Sequence, residues 1–298
     1  RTLASLCELD ARGLSWELVV VDNGSTDATP ELLEAYRQRL PLVTLRQPEP
    51  GKNRSLNAAL GHLRGATTLL TDDDVLLPRD WLQAWQRAVD RWPGDAVFGG
   101  RILPKLPAGT PAWIAAETFP FRAQCFAAFD PRQDEGPYEA TAFGPNFAVR
   151  TRLFDTHRFA DALGPVGTTY AMGGETEFLM RLRRAGHRVI YAPSVVVEHV
   201  IEPDRVALRA LFARARNAGR GYEVRRLLSR PSTRAQLQRR LYTSAWPKIV
   251  YFALLYMAAA PLPEGLRFRQ GYRLQRAWGR RQQLHDLLRS DLPPIATR

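Results

Sequence analysis

The chain has 298 residues, 45% of them hydrophobic, and a net charge of +12. That length can bury the core of one large domain, or of one domain with a substantial appendage. The two cysteines, Cys7 and Cys125, are too few for a disulfide framework. The small disulfide-stapled proteins are therefore excluded, and a reducing compartment is favoured.

The positive charge is concentrated in the last third of the chain. Residues 201–298 hold 20 Lys and Arg against 6 Asp and Glu, whereas residues 1–200 hold 22 against 24. This asymmetry predicts a boundary near residue 204, with a catalytic domain at 1–204 and a basic helical region at 205–298. A basic region of this kind favours contact with an anionic surface or polymer.

The first elements alternate between strand and helix. A β-branched run ends at Asn-Gly-Ser in "WELVVVDNGSTD", and a helix is predicted over "ATPELLEAYRQRL". A strand "LVTLRQ", a helix "SLNAALGHLRG" and a third strand "TTLLTDDD" follow. The alternation predicts an α/β fold with parallel pairing and helices on the faces of the sheet. In such sheets ligands bind beyond the carboxyl ends of the strands.

The middle and the end of the chain have different patterns. Residues 98–144 are rich in Pro, Gly and aromatic residues, which predicts long loops across a pocket. The later segment predicts a helix from Glu175 that stops at Gly186, followed by a strand ending in "VVVEH". From Arg205 onward the pattern is helical and rich in arginine.

Three consecutive carboxylates, Asp72, Asp73 and Asp74, follow the third predicted strand. In an extended segment Asp72 and Asp74 share one face and Asp73 lies on the other. Two converging carboxylates suit Mg²⁺ or Mn²⁺, which would also relieve their mutual repulsion. The alternative is a solvated acidic turn that caps the next helix.

Two further groups are candidate donor-binding residues. Asp22, with Asn23 beside it, ends the first predicted strand and could accept hydrogen bonds from a nucleobase or ribose. The alternative for Asp22 is an Asx-turn. Lys52 and Arg54, in "GKNRSLN", could face phosphates, or could belong to an ordinary solvated loop.

Five ordered blocks resemble the family 2 inverting glycosyltransferases of the GT-A fold. They are "VVVDNGSTD", "GKNRSLNAAL", "LLTDDDVLLPRDWL", "GPNFAVRTRLF" and "GGETEFLMRLRRAGHRVIYAPSVVVEHV". The resemblance implies a mixed, mainly parallel sheet, nucleotide contact by Asp22, and contact of the Asp72–Asp74 block with ribose, diphosphate and metal. It further implies that His199, which would otherwise be a structural histidine, completes the metal shell. Asp72 and Asp74 are the expected partners, and the pair Asp73 and Asp74 is the alternative, because relatives carry either pattern.

The sequence departs from the family pattern at one position. Relatives usually place Glu-Asp at the start of the helix after the acceptor loop, whereas this chain has Glu175 and Glu177 and no Asp there. We favour Glu175 as the catalytic base, because it is nearest the turn, and keep Glu177 as the alternative. Asn146 and Trp113 are predicted to line the acceptor and sugar pocket, with Phe119 as a further stacking candidate. The alternatives are a turn-forming Asn146 and aromatic residues that pack within the protein.

Together these features predict a metal-dependent inverting transferase that moves a sugar from a nucleoside-diphosphate sugar to an acceptor hydroxyl. One alternative is a catalytically degenerate relative that binds membranes or anionic polymers; another is a sugar-nucleotide nucleotidyltransferase. The expected acceptor is a glycan, a glycolipid or a lipid-linked sugar, and no nucleic-acid partner is expected. Relatives begin with a further strand before residue 2, so we expect a missing first strand and poor solubility.

The basic region is predicted to contact the inner face of the membrane peripherally, on the cytoplasmic side. Four arginines fall on one arc of a helical wheel: Arg205, Arg209, Arg216 and Arg220. Such a basic amphipathic helix suits an anionic membrane, and the alternative is an arginine face packed within the protein. The apolar run Ile249–Ala260 is too short to span a bilayer and predicts a buried or interfacial helix.

Overall fold

The computed structural model describes residues 1–166 and 169–289. These residues form two compact units. The first comprises 1–105, 126–161 and 174–201, and the second comprises 106–125, 162–173 and 202–298, of which the last residues lie outside the described range. Where the charge pattern predicts a single boundary after residue 204, the chain passes between the units several times, and two earlier segments belong to the second unit.

The secondary structure of the described residues alternates between short strands and helices. Ten strands are present: β1 Leu18–Asp22, β2 Leu42–Arg46, β3 Thr67–Leu70, β4 Val75–Leu76, β5 Val97–Lys105, β6 Gly136–Tyr138, β7 Phe147–Arg150, β8 Gly164–Val166, β9 Thr169–Ala171 and β10 Val189–Val200. Eleven α-helices accompany them: α1 Thr2–Cys7, α2 Thr29–Tyr36, α3 Lys52–Ala59, α4 Trp81–Arg91, α5 Ala112–Ala115, α6 Arg122–Phe126, α7 Gly174–Arg184, α8 Leu208–Ser229, α9 Arg234–Arg240, α10 Trp246–Ala258 and α11 Glu264–Arg289.

The first unit contains two sheets. β1 and β2 pair in parallel, as the alternating pattern predicts. β3, however, pairs antiparallel with β7 in a separate sheet of order β3-β7-β5-β10-β4, to which β6 adds by pairing with β10. Only β5 and β10 are parallel in that larger sheet. The predicted α/β class with a mixed sheet is confirmed, but the larger sheet is mainly antiparallel and not mainly parallel as predicted, and β3 does not continue the parallel pairing of β1 and β2.

The core of this unit lies between the larger sheet and its helices. Trp85 of α4, Phe98 of β5 and Tyr191 of β10 are fully buried in it. α4 packs on β10 because its apolar residues recur at helical spacing, so that one face is buried and the other is polar. The rigid sheet that results carries β4 and β10, which lead into the candidate site.

The aspartate triplet lies in a turn and not in a strand, which corrects the prediction of an extended segment. β3 ends at Leu70, and residues 72–74 lead into β4. The hydroxyl of Thr2, in α1, donates to the carbonyl of Asp73 and of Val75, at 2.6 and 2.8 Å. Side chains alternate between two faces only in an extended strand. The direction of each carboxylate in this turn therefore cannot be inferred from that alternation.

The second unit is built around the pairing of α8 with α11. At their crossing, a Cβ on Gly219 would clash with the carbonyl of Arg276, and one on Gly279 with the carbonyl of Arg216. Glycine at both positions therefore allows the two backbones to approach closely. Nearby, the fully buried Glu223 of α8 accepts from Arg280 of α11 at 2.7 Å, and these charges stabilise one another within the unit.

Two of the four arginines predicted to contact a membrane are engaged within this unit. Arg216 donates to Gln275 at 2.8 Å, and Arg220 donates to Asp286 at 2.8 Å. These contacts favour the alternative of an arginine face packed within the protein. The predicted apolar helix is α10, and among the described residues no helix combines the length and hydrophobicity needed to cross a bilayer.

Candidate active site

A single ammonium group joins two of the predicted site carboxylates. Lys52 Nζ lies 2.6 Å from Asp72 Oδ1 and 2.7 Å from Glu175 Oε1. Burial alone would lower the pKa of Lys52, but the carboxylates of Glu175 and Asp72 outweigh it and hold this pKa well above its usual value. The lysine is therefore charged, and it brings the aspartate turn and the start of α7 together.

The N-termini of α3 and α7 come close together because the side chain of Asn53 fits against Gly174, which has no Cβ. Asn53, beside Lys52, is buried and donates to the carbonyl of Ala160 at 2.7 Å. A Cβ on Gly174 would fall on the Asn53 amide, and a Cβ on Gly144 would lie 2.9 Å from Glu175 Oε1. These glycines thus leave the space that Asn53 and Glu175 occupy.

Asn53, Gly144 and Gly174 were not singled out from the sequence as site residues. The only signal available was their position inside the quoted blocks, next to Lys52, Asn146 and Glu175. Their contacts join residues 53 and 174, which lie far apart along the chain, and no local pattern reports such a contact.

His199 and Asp74 form the second pair in the site. β10 and β4 are antiparallel, and their register sets His199 opposite Val75, the residue after Asp74. His199 Nδ1 lies 2.7 Å from the carbonyl oxygen of Phe126, which can only accept, so Nδ1 carries the proton. His199 Nε2 then faces Asp74 Oδ1 at 3.3 Å.

The chemistry of this pair fits a divalent cation. An imidazole nitrogen oriented by a backbone carbonyl, with a carboxylate beside it, is a donor set that Mn²⁺ accepts. The predicted three-residue ligand set is nevertheless divided, since Asp72 bonds to Lys52 instead. In residues 1–166 and 169–289, no three His, Cys, Asp or Glu side chains are grouped so as to hold a metal ion.

Asp22 and Asn23 shape the loop after β1. Asp22 Oδ1 accepts the backbone N–H of Ser25, three residues further on, at 2.8 Å, whereas the Asx-turn offered as an alternative bonds two residues further on. Hydrogen bonds from the side chain and backbone of Ser25 lower the pKa of Asp22. Asn23 Oδ1 accepts the N–H of Gly51 at 3.1 Å, so this loop is tied to the residue before Lys52.

Three other predicted site residues lie outside the group formed by Lys52, Asp72 and Glu175. Glu177 is buried and bonds to Arg181 at 2.7 Å, one turn further along α7. Arg54 pairs with Glu49 at 2.7 Å, and both line an open depression of about 510 Å³ that also includes Asp161. The side chain of Asp73 is exposed to solvent.

The two predicted pocket residues have structural roles instead. Asn146 is fully buried: its amide donates to the carbonyls of Arg101 and Val195, both at 3.0 Å, and its oxygen accepts from Trp81 at 3.1 Å. These bonds occupy the side chain, so a sugar contact by Asn146 is not supported.

Trp113 belongs to the second unit. Its ring packs against Phe119 and Phe268, with centroid separations of 5.7 and 5.6 Å. This packing is the behaviour expected of loop aromatics that build a core, and it gives Trp113 and Phe119 a structural explanation without a sugar.

Comparison with known proteins identifies the family. The model of glycosyl transferase family 2 matches residues 1–156, slightly more than half of the chain. The chain belongs to this family.

Two curated relatives resemble this family 2 chain over different lengths. Glycosyltransferase AglE of Haloferax volcanii is 23% identical over 225 residues, which cover 67% of this chain and 68% of AglE. A β-monoglucosyldiacylglycerol synthase of Synechocystis sp. is 34% identical over 87 residues, which cover 28% of this chain and only 18% of that synthase. Most of the synthase therefore has no counterpart in the match.

A solved structure supports the fold of the family 2 chain. The mannosyltransferase PcManGT from Pyrobaculum calidifontis, in complex with GDP-Man and Mn²⁺, superposes with a TM-score of 0.59 at 19% identity. The superposition covers 94% of this chain and 81% of PcManGT. The predicted GT-A fold is thereby confirmed.

Proposed function

We propose that this chain is a metal-assisted, inverting glycosyltransferase that moves a sugar from a nucleoside-diphosphate sugar to an acceptor hydroxyl. The observation that carries the proposal is the Lys52 bridge. It joins Asp72, which the family resemblance assigns to the donor, to Glu175, the candidate base. A transferase needs these two functions side by side, because the leaving group and the attacking hydroxyl meet at one carbon.

In the proposed reaction the acceptor oxygen bonds to the anomeric carbon while the bond from that carbon to the diphosphate oxygen breaks. The acceptor proton passes to the carboxylate of Glu175, and the diphosphate leaves with the electron pair. Attack opposite the leaving group inverts the anomeric configuration through an oxocarbenium-like transition state. Lys52 is a positioning residue here, because it orients Glu175 without touching the reacting atoms.

Asp74 and His199 are the residues that would hold a divalent cation, with oxygens of the donor diphosphate as further ligands. A cation bound there supplies Lewis-acid stabilisation of the charge on the departing diphosphate. The complex of PcManGT with Mn²⁺ supports this part of the proposal. Asp22, Asn23 and Asp72 form the proposed nucleotide side of the site.

The acceptor we propose is a glycan, a glycolipid or a lipid-linked sugar. The name of the matched β-monoglucosyldiacylglycerol synthase supports chemistry on a lipid, because it names a glucosylated diacylglycerol as the product.

The first experiment is a screen of UDP- and GDP-sugars with Mn²⁺ or Mg²⁺, measuring nucleoside diphosphate release. Glu175→Gln is then compared with Glu177→Gln, which makes the same chemical change two residues away. We expect Glu175→Gln to bind the nucleotide normally but to lose about 10²–10⁴-fold in transfer, the usual contribution of a general base. Glu177→Gln should keep transfer and lose thermal stability, because Glu177 is buried against Arg181.

Two results contradict this proposal. If no donor releases diphosphate with either metal, the chain is not a transferase of this kind. If Glu177→Gln loses transfer while Glu175→Gln keeps it, the base has been assigned to the wrong residue.

A further inference from the structure

Helix α10 exposes a continuous apolar stripe. Val250, Tyr251, Leu254 and Met257 are each between 55% and 62% exposed, and they recur at the spacing of one helix face. Ile249, on the opposite side, is buried, and α10 packs against α11. The helix is thus anchored within the second unit by one face, while the other face presents large hydrophobic side chains to the surroundings.

The apolar surface continues along the chain beyond α10. Leu262, in the turn that follows, and Leu266, in the first turns of α11, are nearly half exposed. Single exposed hydrophobic residues are common on soluble proteins, but several large apolar side chains on one helix face form a patch of the kind that marks an interaction surface. α10 has 13 residues and is therefore about 20 Å long, which suits a helix lying on a surface and not one crossing it.

The charge around the stripe indicates what covers it. Residues 224–266, which include the whole apolar surface, contain seven Lys and Arg and a single acidic residue, Glu264. Lys248 of α10 itself is exposed and borders the stripe on a helical wheel. A cation beside an apolar helix face, within a segment of net positive charge, complements an anionic lipid surface, where headgroups attract the cation and acyl chains accept the side chains. A second copy of the chain would instead bring two equally basic faces together.

We propose that α10 is the membrane-docking element of this protein. It lies in the headgroup region of an anionic bilayer with the Val250, Tyr251, Leu254 and Met257 side chains inserted and Lys248 at the headgroup level. This assignment moves the predicted membrane contact away from the arginine face of α8, since Arg216 and Arg220 bond to side chains of α11. It does not depend on the transfer reaction, because lipid binding is measured without a donor or an acceptor.

The test is co-sedimentation of the full chain with vesicles of phosphatidylglycerol and phosphatidylcholine mixed in equal parts, compared with pure phosphatidylcholine. The double variant Leu254→Gln/Met257→Gln should lower the partition coefficient about tenfold or more, because it removes two inserted apolar side chains. Lys248→Gln should lower it about fivefold on the anionic vesicles and leave binding to phosphatidylcholine unchanged. The matched control is Leu32→Gln, which changes a comparably exposed leucine in α2 of the first unit.

Each other outcome overturns the proposal. If the wild-type chain stays in the supernatant with anionic vesicles, α10 is not a docking element. If Leu32→Gln lowers binding as much as the double variant does, the effect is not specific to the stripe. If the wild-type chain is a dimer in light scattering, and the double variant is a monomer with unchanged lipid binding, the stripe is a dimer interface. Thermal melting of every variant verifies that the fold is retained.

Discussion

Replacing Lys52 by Met removes the ammonium group that joins Asp72 to Glu175 and keeps the length of the side chain. If the proposed site is correct, this substitution should impair both donor binding and the general-base step. Asp72 loses the contact that holds it beside the donor, and Glu175 loses the contact that orients it toward the acceptor hydroxyl. Two carboxylates would also be left close together without a cation between them.

The size of the effect follows from the two contacts. A hydrogen bond to a charged group contributes about 1.5–3 kcal/mol. The Lys52 side chain is 40% exposed, so solvent screening favours the lower end of that range. About 1.5 kcal/mol at the Glu175 end corresponds to roughly a tenfold loss in kcat. A similar loss at the Asp72 end corresponds to a rise of roughly tenfold in donor KM, hence about 100-fold in kcat/KM.

Steady-state kinetics with the donor found by the screen measures both constants. Arg54→Met is the matched control, since it removes a cation from the same helix whose partner, Glu49, lies mostly in solvent. We expect it to change kcat/KM less than about fivefold, as for other exposed ion pairs. Lys52→Arg should recover part of the loss, because it restores the charge without the same geometry.

Unchanged kcat and KM in Lys52→Met would refute this reasoning. Equal losses in Lys52→Met and Arg54→Met would refute it as well, because the effect would then reflect the charge of the helix and not the bridge. A loss in both constants that is accompanied by a large fall in melting temperature would assign Lys52 a purely structural role.

Three further predictions concern other contacts. His199→Gln should weaken Mn²⁺ binding at least about tenfold, measured by electron paramagnetic resonance without substrate; unchanged binding would remove His199 from the metal site. Asp22→Asn should cost stability at pH 7, and this cost should vanish as the pH falls below about 4, because the pKa of Asp22 is lowered in the folded state and its contribution is lost on protonation. Urea titrations at both pH values measure this difference, and a gap that does not depend on pH would contradict it. Glu223→Gln should lower the free energy of unfolding by about 3–5 kcal/mol, since it leaves Arg280 without its buried counter-charge; a loss below about 1 kcal/mol in chemical denaturation would contradict this reading.

Local signals in the sequence were sufficient for several elements. The helix from Glu175 and its end at Gly186 are confirmed: α7 spans Gly174–Arg184, and Gly186 adopts a φ of 93°, which favours glycine. The strand before His199 is also confirmed, as β10. In these cases the hydrophobic period and the breaker residue act within a few positions of one another, so the information is local.

Contacts between distant residues could not be predicted in the same way. Asn146 shows the difficulty, because the family resemblance predicts a pocket residue. Its side chain is instead fully buried, accepts a hydrogen bond from Trp81 and donates to two backbone carbonyls. The same holds for β3, whose composition fits a parallel strand but whose partner is the antiparallel β7. Strand composition reports burial on both faces, and it does not report the direction of the neighbouring strand.

The three adjacent charges of the aspartate triplet are accommodated through contacts with residues that are distant in the sequence. The turn sends Asp72 to Lys52, 20 residues earlier, and Asp74 to His199, much later in the chain, while Asp73 stays in solvent. Each interior carboxylate thus has a different neighbour, and neither neighbour is available before α3 and β10 have packed. In the unfolded chain the three charges repel one another without relief. In the folded first unit the ammonium of Lys52 relieves this repulsion at Asp72, whereas Asp74 faces the unprotonated Nε2 of His199 and keeps its charge available to a cation.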